Sequence, residues 1–170
     1  MANFKLIASH NVTGSSTASI TFSSIPATYE TLVIIGSARA SGDTDWFKMK
    51  LNNTGSYDAR YAFSNTSSTA SDLQASQPYP LVNPLADSTQ LMANLFTSAE
   101  IYVPNYSSSS QNKVMICTGG EADEGSHTNA RISQWDVASD RTEAITRIDF
   151  EPQGNNFAVG TTFTIYGLEA

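Results

Sequence analysis

Cysteine is almost missing from this chain, and charge is scarce. Cys117 is the single cysteine among 170 residues, so no intrachain disulfide can form and the framework is not a stapled scaffold. Charged residues make up 15%, against ~25% in ordinary soluble domains. Nine are basic and sixteen acidic, for a net charge of −7. That balance argues against a phosphate backbone as partner, which needs clustered lysine and arginine; no nucleic acid is expected. Long apolar runs are missing too. Nothing approaches the ~20 residues that span a bilayer as a helix, and Met1–Ile7 has no apolar centre of the signal-peptide kind. The reading is therefore no membrane. Helical periodicity is confined to Ser88–Ser98, where Leu91, Met92 and Leu95 share a side and Ser88 is placed to cap the N-terminus.

What is present is alternation. Ala18, Ile20 and Phe22 alternate with Ser19, Thr21 and Ser23, the period of a strand with one face buried. Pro26 then stops the ladder, and Thr31–Gly36 follows as a nearly continuous apolar, β-branched run. Such a run predicts a central strand covered on both faces. Further strands are expected over Phe4–His10, Trp46–Leu51, Ala59–Ser64 and Ala99–Pro104. Lys113–Thr118, Arg131–Val137, Thr146–Phe150 and Thr161–Leu168 complete the set. The first two strands are adjacent enough to form a hairpin. Ile145 is out of phase with Ile148 and Phe150, which predicts a bulge there or a strand that starts one residue later.

Between residues 65 and 88 the regularity stops. Serine, threonine and alanine dominate, and Pro78, Pro80 and Pro84 are closely spaced, so the stretch reads as one long loop or excursion. The fold class that fits is all-β: a two-sheet antiparallel sandwich, jelly-roll-like, with one long excursion and at most one short helix. At 170 residues it is read as a single domain, 1–170.

Candidate chemistry is thin. Catalysis by a serine nucleophile needs an elbow such as G-x-S-x-G with convergent partners, and zinc needs clustered His or Cys; neither pattern is written here. His10 and His127 are far apart in sequence, and Cys117 has no basic neighbour to lower its pKa, so it reads as a buried thiol. Glu121, Asp123 and Glu124 on a glycine-rich stretch are the nearest approach to a calcium site, but their spacing departs from the twelve-residue calcium loop. No catalytic, cofactor-binding or metal residue is assigned and no cofactor is expected. Six aromatics, Trp46, Tyr57, Tyr61, Tyr79, Tyr106 and Trp135, are candidates for stacking on sugars if they share a rim; filling a core or an interface is the stronger expectation.

The segment ASITFSSIPATY, the strand after it with its G-S-A-R end, and the final NNFAVGTTFTIYGLEA resemble a family of small β-rich virion proteins of tailed phages. These occur among phages of cyanobacteria as head decoration proteins or tail-fibre parts. The resemblance covers Ser9–Arg39 and Asn155–Leu168. It implies a non-enzymatic structural protein on the virion surface, made in the host cytoplasm, with its own copies and the major capsid protein or other virion proteins as partners. A homotrimer is the oligomer it implies. Since the sequence shows no heptads or fibrous repeats, a head decoration (cement) protein is expected before a tail-fibre or receptor-binding module that recognises host glycans.

Overall fold

The computed structural model describes residues 3–42, 46–65, 68–84, 95–121 and 131–169. Alternation in the sequence becomes strand in space. Among the described residues twelve strands form, in order β1 (Asn3–Asn11), β2 (Ile20–Phe22), β3 (Thr31–Ala38), β4 (Trp46–Leu51), β5 (Tyr57–Asn65) and β6 (Thr69–Gln77). They continue as β7 (Leu81–Pro84), β8 (Thr97–Pro104), β9 (Lys113–Glu121), β10 (Arg131–Ser139), β11 (Ile148–Pro152) and β12 (Thr162–Glu169). All pair antiparallel, in an eight-stranded sheet ordered β1-β12-β3-β8-β9-β10-β5-β6 and a four-stranded sheet ordered β2-β11-β4-β7.

That order has a simple reading. β1-β12-β3-β8 and β2-β11-β4-β7 are the two four-stranded halves of a jelly roll, with the chain crossing from one sheet to the other at successive connections. The remaining strands are two inserts. Hairpin β5–β6 enters between β4 and β7, and β9–β10 enters between β8 and β11; both extend the larger sheet beyond β8. The two-sheet sandwich expected from the sequence is the architecture found.

Four expectations are corrected. β1 and β2 form no hairpin: β1 joins β12, while β2 joins β11 in the opposite sheet. The 65–88 excursion is largely strand, because β6 and β7 lie in it. β6 escaped notice because it is an edge strand without a buried side chain, and so carries no hydrophobic alternation. The end of the expected helix is extended instead, since Thr97 and Ser98 open β8; residues 88–94 of that expectation lie outside the described residues. The fourth is the double cover of β3, which holds at the outward Val33, 2% exposed, and fails at the outward Ile35, 44% exposed. The phase break at Ile145 is neither a bulge nor a shift of one residue: β11 opens only at Ile148, and Ile145 is buried in the preceding loop.

One core lies between the sheets. Phe163 of β12 stacks on Phe150 of β11 at 4.3 Å between ring centroids and meets Phe47 of β4 edge-on at 5.5 Å, so three strands from two sheets lock through one aromatic group. Close packing there requires glycine. A Cβ on Gly36 would sit 2.7 Å from the Phe163 ring, and one on Gly167 would overlap the Tyr29 ring.

Polar anchors tie the loops to this frame. Asn52 has a positive φ of 50° at the β4–β5 turn, a conformation asparagine tolerates better than most residues. Its side-chain oxygen accepts from the N–H groups of Thr146 and Arg147, and its amide donates to the Ala144 carbonyl at 3.0 Å. Tyr106, in the loop after β8, is fully buried; its hydroxyl donates to the Pro26 carbonyl and accepts the Tyr29 N–H.

Candidate contact surface

In a sheet, residues opposite one another point to the same side, so register alone defines the outer face of the large sheet. One row runs across all eight strands: Leu6, Tyr166, Val33, Tyr102, Ile116, Asp136, Arg60 and Leu73. A neighbouring row runs Ser9, Thr164, Ile35, Glu100, Thr118, Gln134, Ala62 and Ser71. The partners of these residues along each strand turn inward to the core.

Exposed apolar side chains concentrate here. Of the nine large hydrophobics exposed among the described residues, eight (Phe4, Leu6, Ile35, Leu73, Tyr102, Val114, Ile116 and Ile132) project from this face, and only Val159 lies elsewhere. Scattered exposed hydrophobics are ordinary, whereas a contiguous patch marks a contact surface. Six of the eight sit together on β1, β3, β8 and β9. They have signal in the sequence: in β3 and β9 both alternating positions are apolar, and on the outward side Ile35, Val114 and Ile116 stay open while Val33 is covered.

The face divides in two. Across β1, β12, β3, β8 and β9, Glu100 is the one charged side chain at the described outward positions. It accepts the Tyr102 hydroxyl at 2.5 Å, and that bond to a carboxylate raises the Tyr102 pKa. Across β10, β5 and β6 the outward side chains include Asp136, Arg60 and Asp58. A depression of about 580 Å³ opens there, bordered by Ser64, Ser71, Thr118, Ile132 and Gln134. Smaller hollows flank Arg60.

The aromatics expected as a possible sugar platform do not form one. Tyr57, Tyr106 and Trp135 are buried. Trp46 and Tyr61 are half-buried and pack on Trp135 on the core side, where Tyr61 stacks on it at 4.4 Å and Trp46 meets it edge-on at 5.2 Å; Phe63 packs in turn on Trp46 and Tyr61. Tyr79 lies under the Lys48 ammonium, 4.4 Å from the ring centroid, at the outer side of the small sheet. The face aromatics are Phe4, Tyr102 and Tyr166, which the sequence reading did not single out.

Titratable groups inside the molecule serve the fold. Cys117 is fully buried, and desolvation, with a smaller contribution from Asp136, drives its thiol far above the ordinary range. Lys113 is buried, with its ammonium donating to the carbonyls of Ser108, Gln111 and Thr142 at 2.6–2.9 Å. Asp149 accepts two hydrogen bonds from Arg147 through both carboxylate oxygens, at 2.7 and 2.8 Å, and one from Thr21 at 2.6 Å. Burial alone would raise that carboxyl, but the bonds from Arg147 and Thr21, with the charges of Arg147 and Lys50, outweigh it and lower the pKa. Among the described residues no three His, Cys, Asp or Glu groups are placed to hold a metal. Asp123, Glu124 and His127 of the acidic stretch lie outside the described residues, and His10 is exposed on β1.

No protein-family model, curated protein or solved structure matches this chain.

Proposed function

We propose that this chain is a non-enzymatic virion structural protein that works by surface contact, as a decoration or cement protein on the outside of a phage head. The observation that carries the reading is the outer face of the large sheet, where eight of nine exposed large hydrophobics gather. A jelly roll whose larger sheet is extended by two hairpins presents a broad platform, and burying surface against a shell and against its own copies adds stability by mass action without chemistry. The resemblance at the two ends of the chain suggests the particle; the face offers a surface for contact with other chains. Its partners in this reading are its own copies and the major capsid protein. Cryo-electron microscopy of the intact virion tests it: density for this sandwich repeated on the capsid lattice is expected, and copies confined to a tail appendage would sink the cement assignment.

A receptor-binding role is the second reading, favoured by the polar half of the same face. Hydroxyl, amide, carboxylate and guanidinium groups of Ser71, Gln134, Asp136 and Arg60 converge around shallow hollows, the kind of donor and acceptor set that hooks sugar hydroxyls. Saturation-transfer NMR against host surface glycans discriminates: transfer that is lost in Gln134→Ala favours this role, and no transfer removes it.

A further inference from the structure

We propose that the apolar half of the outer face, centred on Tyr102 and Ile116, is the seat of a second copy of this chain, sheet face against sheet face about a two-fold axis. The inference rests on reading that face as a contact surface, and not on where the protein sits in a particle.

Area is the first argument. Phe4, Leu6, Ile35, Tyr102, Val114 and Ile116 are each between 37% and 63% exposed, which leaves on the order of 500 Å² of apolar surface in one patch, at the upper end of what a soluble monomer presents. Two such patches facing each other remove about 1,000 Å² from water before the rim of Thr118, Thr164 and Tyr166 is added, and the rim brings the total within the ~1,200–2,000 Å² of a specific interface.

Charge is the second. A partner with the same net charge of −7 is repelled by most of this surface, and approach is least opposed where charge is lowest. That place is the β1-β12-β3-β8-β9 half, whose lone Glu100 is already held by Tyr102. The three charged residues at outward positions of β5 and β10, Asp58, Arg60 and Asp136, fall outside it.

The third argument lies in the strands themselves. β3 carries Leu32, Val33, Ile34 and Ile35 in succession, and β9 carries Val114, Met115, Ile116 and Cys117. Runs apolar on both sides belong to strands covered on both faces, yet in a single copy the outward Ile35, Val114 and Ile116 stay open, and of the outward members of these runs only Val33 is covered. An apolar face of this kind meets its own image about a two-fold axis, which favours pairing over the threefold contact implied by the resemblance.

Sedimentation equilibrium on the full 170-residue chain tests the pairing. A reversible monomer–dimer equilibrium is expected, with Ile116→Glu and Ile35→Glu each weakening it by about 100-fold or more. Leu73→Glu, equally exposed but on β6 outside the patch, should leave it unchanged. Methyl NMR of the unmutated chain gives a readout that needs no variant: Ile35 and Ile116 methyl shifts should move with concentration while Leu73 stays fixed. A monomer at all concentrations, or a dimer indifferent to both glutamates, overturns the pairing. A trimer overturns it too, while leaving the structural-protein reading standing. A face-paired dimer with no counterpart on the virion would do the reverse.

Discussion

β8 and β6 belong to one sheet, yet they are held by different forces. β8 lies between β3 and β9 and buries every second side chain, Thr97, Ala99, Ile101 and Val103, against the core. β6 pairs with β5 alone and has no buried side chain. For β8, backbone pairing and apolar burial act together. For β6, pairing and its β5 neighbour supply nearly everything, since little apolar surface leaves water there. The same difference separates the jelly-roll strands from the outermost insert, because the small sheet is four strands wide and the large one eight.

Breaking the covered side should have the largest effect. Trp135→Ala on β10 removes a fully buried indole that stacks on Tyr61 and is expected to cost ~3–5 kcal/mol. Ile132→Ala, three residues away on the same strand but 76% exposed, should stay within about 0.5 kcal/mol. Urea unfolding of the two variants checks the pair, and equal losses would contradict the assignment of inner and outer faces.

Next in size is Asn52→Ala. It strands two N–H groups and a carbonyl where the β4–β5 turn meets the loop before β11, and it places alanine at a positive φ. A loss of ~1–3 kcal/mol is expected in the same assay.

The pH response of the small sheet is a weaker probe. The folded pKa of Asp149 is depressed below the ordinary aspartate value, so the folded state binds that proton less readily than the unfolded chain. The stability it contributes is present above that value and is lost as pH falls through the lower folded pKa. Asp149→Asn should therefore be less stable than the parent at pH 6, with the gap closing towards pH 2.5; urea midpoints across that range measure it.

The gentlest test compares the two strands directly. Amide exchange should be slow along β8 and fast along β6, whose outer edge pairs with no strand among the described residues. Cys117, buried opposite Trp135 and Ile101, should react with thiol reagents only at the rate of core opening. Protection in β6 equal to that of β8 would mean that something covers the edge strand.

That contrast also marks what could be read in advance. Strands that bury one face announce themselves by period, as Phe47, Met49 and Leu51 do in β4 and Phe163 and Ile165 do in β12. A strand that buries neither face, such as Thr69–Gln77, has no period to announce. The contact surface was half legible. Its apolar residues were visible as continuous runs in β3 and β9, but a run does not say which of its two faces will find cover within the chain.

Local sequence by itself determined that this is an all-β sandwich, because alternation with a period of two is a property of the backbone and survives any arrangement of the strands. Tertiary structure alone decided that β5, β6, β9 and β10 extend one sheet, that Tyr57, Tyr106 and Trp135 go inside, and that Tyr102 and Ile116 stay out. Those outcomes depend on which strands become neighbours across long stretches of chain, as Tyr57 of β5 and Ser139 of β10 do. Pairing over that distance is set by the fit of whole faces, which no single stretch of the chain contains.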